Sequence, residues 1–341
     1  MVNSLSTCLR ALGPVHPAGA IAAGRMEPHG STFMRRWIAV AVAVAVAATV
    51  TAAGVIAPAS ASAVSAHARP DEPGPVAALK SQFVAGHGVR FREKVTTRHF
   101  IGGRRVGVDR YRVKGVYRFG RSGVVASRLT HRTDPRTLPP EVRDLNEPVR
   151  IILLRKGIYL GMEGLLPNRP RRTSWLRLEN PGLLSIQMIN VLEPATLRGL
   201  LATTRRVRPG GQVGGVSTTR YQGTITARRL YAVSPTYRAM RGARPRGLAG
   251  SLAIRWRLWQ DAQQNTRKLT GSYTEASAGT PGGDRWRTVF TSTATFRGWG
   301  AEVRVKAPPA RSVINFDDPE SGGDAMAALP RLPVPVPGRE R

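Results

Sequence analysis

Polarity changes at every second residue along much of this chain, and that period constrains the fold more than any other feature. Val89, Phe91, Glu93 and Val95 alternate with arginine, lysine and threonine. Ile254, Trp256 and Leu258 alternate with Arg255 and Arg257, and Arg150 separates Val149 from Ile151 and Leu153. Successive side chains of a strand point to opposite faces, so these stretches predict strands with one face buried and the other in water. The segment VRIILLRKGIYLGM predicts a hairpin around Arg155-Lys156-Gly157, and VYRFGRSGVVASRLTHRT one that turns at Gly120–Gly123. SWLRLE, VSTTRYQGTITARRL, SLAIRWRLWQD, RKLTGSYTEA, WRTVFTSTATFRGWG and AEVRVKAPP read as further strands. Short turns between neighbours make such strands antiparallel.

Helical spacing appears in two places. Pro75 opens PVAALKSQFV, where Val76, Leu79 and Phe83 share a face. In PGLLSIQMINVLEPATLRGLLATTRRV, Leu184, Met188 and Val191 recur at i, i+4 and i+7. Glu193-Pro194 breaks that helix, and Leu197, Leu200 and Leu201 continue in a second. PGGQVGG (209–215) reads as a mobile loop, and residues 234–250 as a loop or short helix. The expected fold is α+β: a curled antiparallel β-sheet, a half-barrel, with helices covering its concave face. One such domain spans 75–316.

The N-terminal stretch reads as targeting. Arg35 and Arg36 precede an uncharged apolar run, Trp37 to Ala53, and small residues follow with A-x-A patterns at Ala59–Ala61 and Ala61–Ala63. That is the layout of a secretory signal peptide over 34–66. The rival reading is an uncleaved anchor, for which the run is short, since a span needs about 20 residues. Residues 1–33 read as a mis-annotated or disordered leader, 67–74 as a polar linker and 317–341 as a disordered tail. Cleavage is expected to leave a mature chain beginning between Ser62 and His67, secreted or held in the cell envelope. Cys8, the single cysteine, lies in the leader, so the exported part has no disulfide framework, Cys-based zinc site or lipidation cysteine.

Lysine and arginine number 52 against 21 acidic residues, a net charge of +31. Most of the cations are arginines, which matches the codon bias of a high-GC genome. The charge still favours anionic partners: an anionic membrane surface or a wall polymer. Nucleic acid is not expected, because export removes it and only 6% of residues are aromatic. Clusters at Arg169, Arg171 and Arg172, at Arg205, Arg206 and Arg208, and at Arg241, Arg244 and Arg246 are expected in loops or helix ends.

Catalytic signatures are missing. No G-x-S-x-G, H-E-x-x-H or phosphate-cradling G-x-x-x-x-G-K-[ST] occurs. His67, His87, His99 and His131 have no metal-ligand spacing, and the acidic cluster Asp317, Asp318, Glu320 and Asp324 lacks the order of a calcium loop. No enzyme activity, metal or cofactor is expected. The candidate binding residues are instead apolar: Ile151, Leu153, Trp256 and Leu258 of the sheet, with Leu184, Met188 and Val191 of the covering helix. They read either as ordinary core or as a groove for acyl chains.

Four segments carry a resemblance to a known family. They are VRIILLRKGIYLG at 149–161, SWLRLE at 174–179, STTRYQGTI at 217–225, and RLWQD at 257–261 with Arg267-Lys268 and the closing FRGWGAEVRVKAPP. In this order they resemble the LolA-like lipoprotein-carrier superfamily, and within it the LppX/LprG-type envelope lipoproteins, over about 75–316. The resemblance implies a non-catalytic carrier or sensor that holds a lipid-like ligand between sheet and helices. The missing lipidation cysteine departs from it and removes the tether. The alternative is a regulatory, protein-binding domain of the anti-sigma-factor sensor type, with the same fold and no lipid cavity.

Overall fold

The computed structural model describes residues 74–138, 140, 143, 146–161, 175–276 and 285–315. The leader, the signal segment, most of the linker, Arg169, Arg171, Arg172 and the tail with its acidic cluster lie outside the described residues.

Twelve strands form one sheet. Helix α1 (Pro75–Ser81) leads into β1 (His87–Ile101), β2 (Arg104–Gly120), β3 (Gly123–Thr133), β4 (Val149–Leu154), β5 (Gly157–Gly161) and β6 (Trp175–Leu178). After α2 (Pro194–Leu201) come β7 (Thr204–Val213) and β8 (Val216–Thr226). Three short helices follow: α3 (Ala227–Val233), α4 (Pro235–Arg241) and α5 (Gly247–Ser251). Strands β9 (Ala253–Gln260), β10 (Thr266–Ala276), β11 (Trp286–Glu302) and β12 (Val313–Asn315) complete the sheet. Its order is β12-β6-β5-β4-β3-β2-β1-β11-β10-β9-β8-β7. Two meanders therefore meet where β1 pairs with β11, and β7 and β12 are the two free edges. All neighbours are antiparallel except β12 and β6. The curled sheet stays open, as the α+β half-barrel expectation required.

Turn chemistry explains the long arms. Gly102 and Gly103 both have positive φ, 56° and 84°, as do Gly214 and Gly215, at 62° and 83°. Two consecutive residues with positive φ make the turn whose twist matches a hairpin. PGGQVGG is accordingly not a mobile loop: residues 209–213 finish β7, and only the last two glycines turn. The Arg205–Arg208 cluster thus stands on an edge strand rather than in a loop.

The segment 182–192 differs most from expectation. It is irregular rather than helical, although residues 185–192 are all buried. Apolar spacing cannot tell a helix from an extended segment pressed on a sheet from one side and roofed on the other. Asn180 holds the entry, its Oδ1 accepting from the Gly182 and Leu183 amides while its amide donates to the Leu154 carbonyl at 2.6 Å. Glu193 fixes the exit. Its carboxylate accepts from the Thr236 amide at 2.8 Å and from the hydroxyls of Ser234, Thr236 and Thr196. Pro194 then starts α2, whose Thr196, Leu197, Gly199 and Leu200 are buried.

Residues 303–309, expected as a strand, cross the outer face instead. Val303 and Val305 pack there on Ala126 and Ile152, with Val116, Leu154, Tyr159 and Trp175 around them. This strap carries the chain to β12, where Val313, Ile314 and Asn315 pair with Trp175, Leu176 and Arg177.

Candidate functional site

Paired residues of an antiparallel sheet share a face, so the register sorts every strand side chain into an inner or an outer set. The inner face carries the main core. One of its rows runs Tyr221, Leu258, Leu269, Ala294, Glu93, Val113, His131 and Val149. A second runs Gly223, Trp256, Gly271, Ser292, Val95, Tyr111 and Thr133. Trp256 is anchored by its indole N–H, which donates to Thr203 Oγ1 at 3.1 Å. Its ring occupies the space a side chain at Gly223 would need.

Six of the seven expected ligand residues meet in one apolar cluster: Ile151, Leu153, Met188, Val191, Trp256 and Leu258, each at most 4% exposed. Leu184 is half-buried and outside that cluster; its neighbour Leu183 packs against it instead. Ile151 and Leu153 lie on β4 and Trp256 and Leu258 on β9, with five strands between them. Met188 lies over β10: a Cβ built on Gly271 would stand 3.4 Å from Met188 Cε and 3.3 Å from Ile189 Cδ1. Glycine at 271 thus lets the covering segment sit directly on the backbone of the sheet.

The inner face also contains polar groups outside the expected binding set. Glu93 stands in the apolar phase of β1 and is 6% exposed. Burial pushes its carboxyl up to about 7, against the opposing pull of Gln187 and Ser292. Tyr117, fully buried, shares a 2.8 Å hydrogen bond with Ser185 Oγ and donates to Gln187 Oε1 at 3.3 Å, which ties the cover to β2. The Tyr111 and His131 rings lie 4.7 Å apart, tilted by 35°, and burial lowers the His131 pKa to about 4. Tyr111 Oη, His131 Nε2 and Ser127 Oγ are buried without a hydrogen-bond partner. The signal for Glu93 was its position: a carboxylate at an inward register site is a departure from the pattern. Nothing local in sequence marked Tyr111 or His131. Further along this face Glu275, pushed up to about 7 by burial, lies 3.7 Å from Arg241.

The outer face is cationic. Arg208, Arg220, Trp259, Lys268, Thr295, Arg92, Lys114, Thr130, Arg150, Gly161 and Trp175 form one row across the sheet. On one side of it stand Arg297, Arg90, Val116, Arg128 and Ile152; on the other Arg257, Thr270, Thr293, Lys94, Arg112 and Arg132. None of these positions holds a carboxylate. A hollow of about 800 Å³ opens between Arg90, Arg92, Lys114, Arg128, Arg150 and Arg297, floored by Val116, Ile152 and Trp175. Lys268 Nζ sits 4.6 Å from the ring centre of Trp259, and the Arg150 guanidinium 5.1 Å from that of Trp175. Among the described residues no group of three or more His, Cys, Asp or Glu could hold a metal ion. Among them, too, no helix is long and apolar enough to cross a membrane.

No family model and no curated protein matches the chain. Solved structures do. LprF from Mycobacterium bovis is similar at 13% identity over 70% of this chain and 99% of that one, with a TM-score of 0.36. A LolA superfamily protein from Nitrosomonas europaea is similar at 9% identity over 69% and 93%, with a TM-score of 0.23. A DUF1329 family protein from Desulfovibrio piger is similar at 9% over 68% and 92%, with a TM-score of 0.22.

Proposed function

We propose that this protein is an exported, non-catalytic carrier or sensor that holds a lipid-like molecule between the inner sheet face and the covering segment 183–192. One observation carries the reading. A largely apolar inner face includes buried polar atoms without protein partners, Tyr111 Oη, His131 Nε2 and Ser127 Oγ, and its cover lacks the internal hydrogen bonds of a helix. An amphiphile supplies both things such a face needs. Its chain replaces Met188, an adaptable side chain, against Trp256 and Leu258, and its polar end satisfies the orphaned groups. Each CH₂ buried contributes about 0.8 kcal/mol, so chain length sets affinity without polar chemistry along the groove. Ile151, Leu153, Leu184 and Val191 line the remainder of the path in this proposal.

A second reading, a protein-binding regulatory domain with a solid interior, is favoured by the close seating of Met188 and Ile189 on Gly271. Native mass spectrometry of the purified protein, followed by titration of the delipidated form with a fluorescent fatty acid, separates the two. The carrier reading expects co-purified lipid or saturable binding. It also expects Met188→Trp to weaken binding while unfolding stays cooperative. No lipid and no probe binding, or a Met188→Trp protein that unfolds because its core is overpacked, overturns it.

A further inference from the structure

The lipid site proposed above would use the inner face alone and leaves the outer face without a role. We propose that the outer face is a docking track for a flexible, linear, phosphate-bearing polyanion, which runs across the strands along the row Arg208, Arg220, Lys268, Arg92, Lys114 and Arg150.

Three observations select that partner. The first is charge. Side chains in one row come from neighbouring strands about 4.8 Å apart, and like charges directly opposite one another destabilise a sheet. Arg92 nevertheless faces Lys114, and Arg208 faces Arg220. No carboxylate in this row or the two beside it offsets them, and hydroxyls fill the gaps at Thr295 and Thr130. Arginine forks with interleaved hydroxyl donors suit phosphate oxygens. The second is shape. The row follows the curl of the sheet, so a chain-like polyanion can stay in contact from strand to strand, whereas a flat bilayer touches few strands at once. The hollow between Arg90, Arg92, Lys114, Arg128, Arg150 and Arg297 gives such a chain a seat below the surface. The third is the state of the aromatics. Single-stranded nucleic acid is held by bases stacked on aromatic rings, but Trp259 is covered by Lys268 and Trp175 by Arg150. The track therefore reads a phosphate backbone without bases.

The test titrates the full chain with long-chain inorganic polyphosphate at several salt concentrations, beside two competitors at matched phosphate: phosphatidylglycerol vesicles and single-stranded DNA. The double variant Arg92→Gln/Lys114→Gln removes two charges from the centre of the track. The control Arg244→Gln/Arg246→Gln removes two from the turn between α4 and α5. We expect the track variant to lose at least about tenfold in affinity. Its slope of log affinity against log salt should fall by roughly 1.4, at about 0.7 per lost phosphate contact in a single-stranded polyanion. The control should change less than about twofold. Equal losses in both variants reduce the effect to net charge and overturn the proposal. Tighter binding to the vesicles, or to the DNA, also overturns it, in favour of a membrane or a nucleic-acid partner. Circular dichroism of both variants verifies that the sheet is intact, and none of these readouts depends on a lipid in the inner groove.

Discussion

Glu93 shows how one side chain makes the whole molecule sensitive to pH. Its pKa is about 7 in the folded protein against an ordinary value of 4.5, and burial is the main cause. Between those values the folded state holds a proton that the unfolded state has lost, so stability falls as pH rises through about 7. Glu275 acts with the same sign over the same window. His131 acts oppositely: its folded pKa of about 4 lies below the ordinary 6.5, so its contribution rises with pH between those values and is flat above them. From pH 6.5 to 8 only the two carboxyls contribute, and urea midpoints should drop across that interval. Glu93→Gln keeps the shape and removes the charge. It should flatten the drop and make the variant the more stable protein at pH 8, by on the order of 1–3 kcal/mol. A variant that loses stability equally at pH 5.5 and pH 8 would show that Glu93 is not protonated in the fold. In the sequence this residue was visible as an inward register position. Its partners were not, because Gln187 and Ser292 reach it from segments far away in the chain.

At the scale of elements, alternation was readable and coverage was not. The hairpins at 120–123 and 154–157, and the strands carrying Ile254, Trp256 and Leu258, follow directly from period two and turn residues. What lies on each face is a tertiary matter. Leu184, Met188 and Val191 have helical spacing, yet the chain there is flattened between sheet and helices, where side-chain contacts outweigh local propensity. Ile152 is the mirror case. Parity places it in the water-facing set with Arg150, but the strap at 303–309 buries it to 6% exposure. The strap makes a specific expectation. Val305 packs with Ala126 and Ile152, and it leads to β12, which pairs with β6 over three residues and buries Ile314 in the main core. Val305→Asp places an unpaired charge in that contact. It should release the strap, with hydrogen exchange rising at 313–315 and 175–178 while β9 and β10 keep their protection. Uniform loss of protection across all strands would mean that the strap is integral to the main core.

Across the whole molecule, the two faces of one sheet set different requirements, and the charge does not serve stability. Lys94 faces Arg112, which faces Arg132, while Arg92 faces Lys114 and Arg90 faces Arg297. Each like-charge pair directly opposite costs about 0.2–1 kcal/mol, and the net charge of +31 adds long-range repulsion. The Debye length shrinks from about 30 Å at 0.01 M salt to about 8 Å at 0.15 M. Salt should therefore stabilise this protein, with Tm rising on the order of 5 °C over that range, as a few relieved pairs imply. Arg92→Gln/Lys114→Gln should be more stable than the parent at low salt, and the difference should fade at high salt as screening removes the repulsion. That outcome separates a surface kept for its charge from one kept for its packing. If the arginines instead stabilise the sheet by laying their aliphatic stems on neighbouring strands, the double variant loses stability at every salt concentration. The repulsion is then too small to account for the behaviour of the outer face.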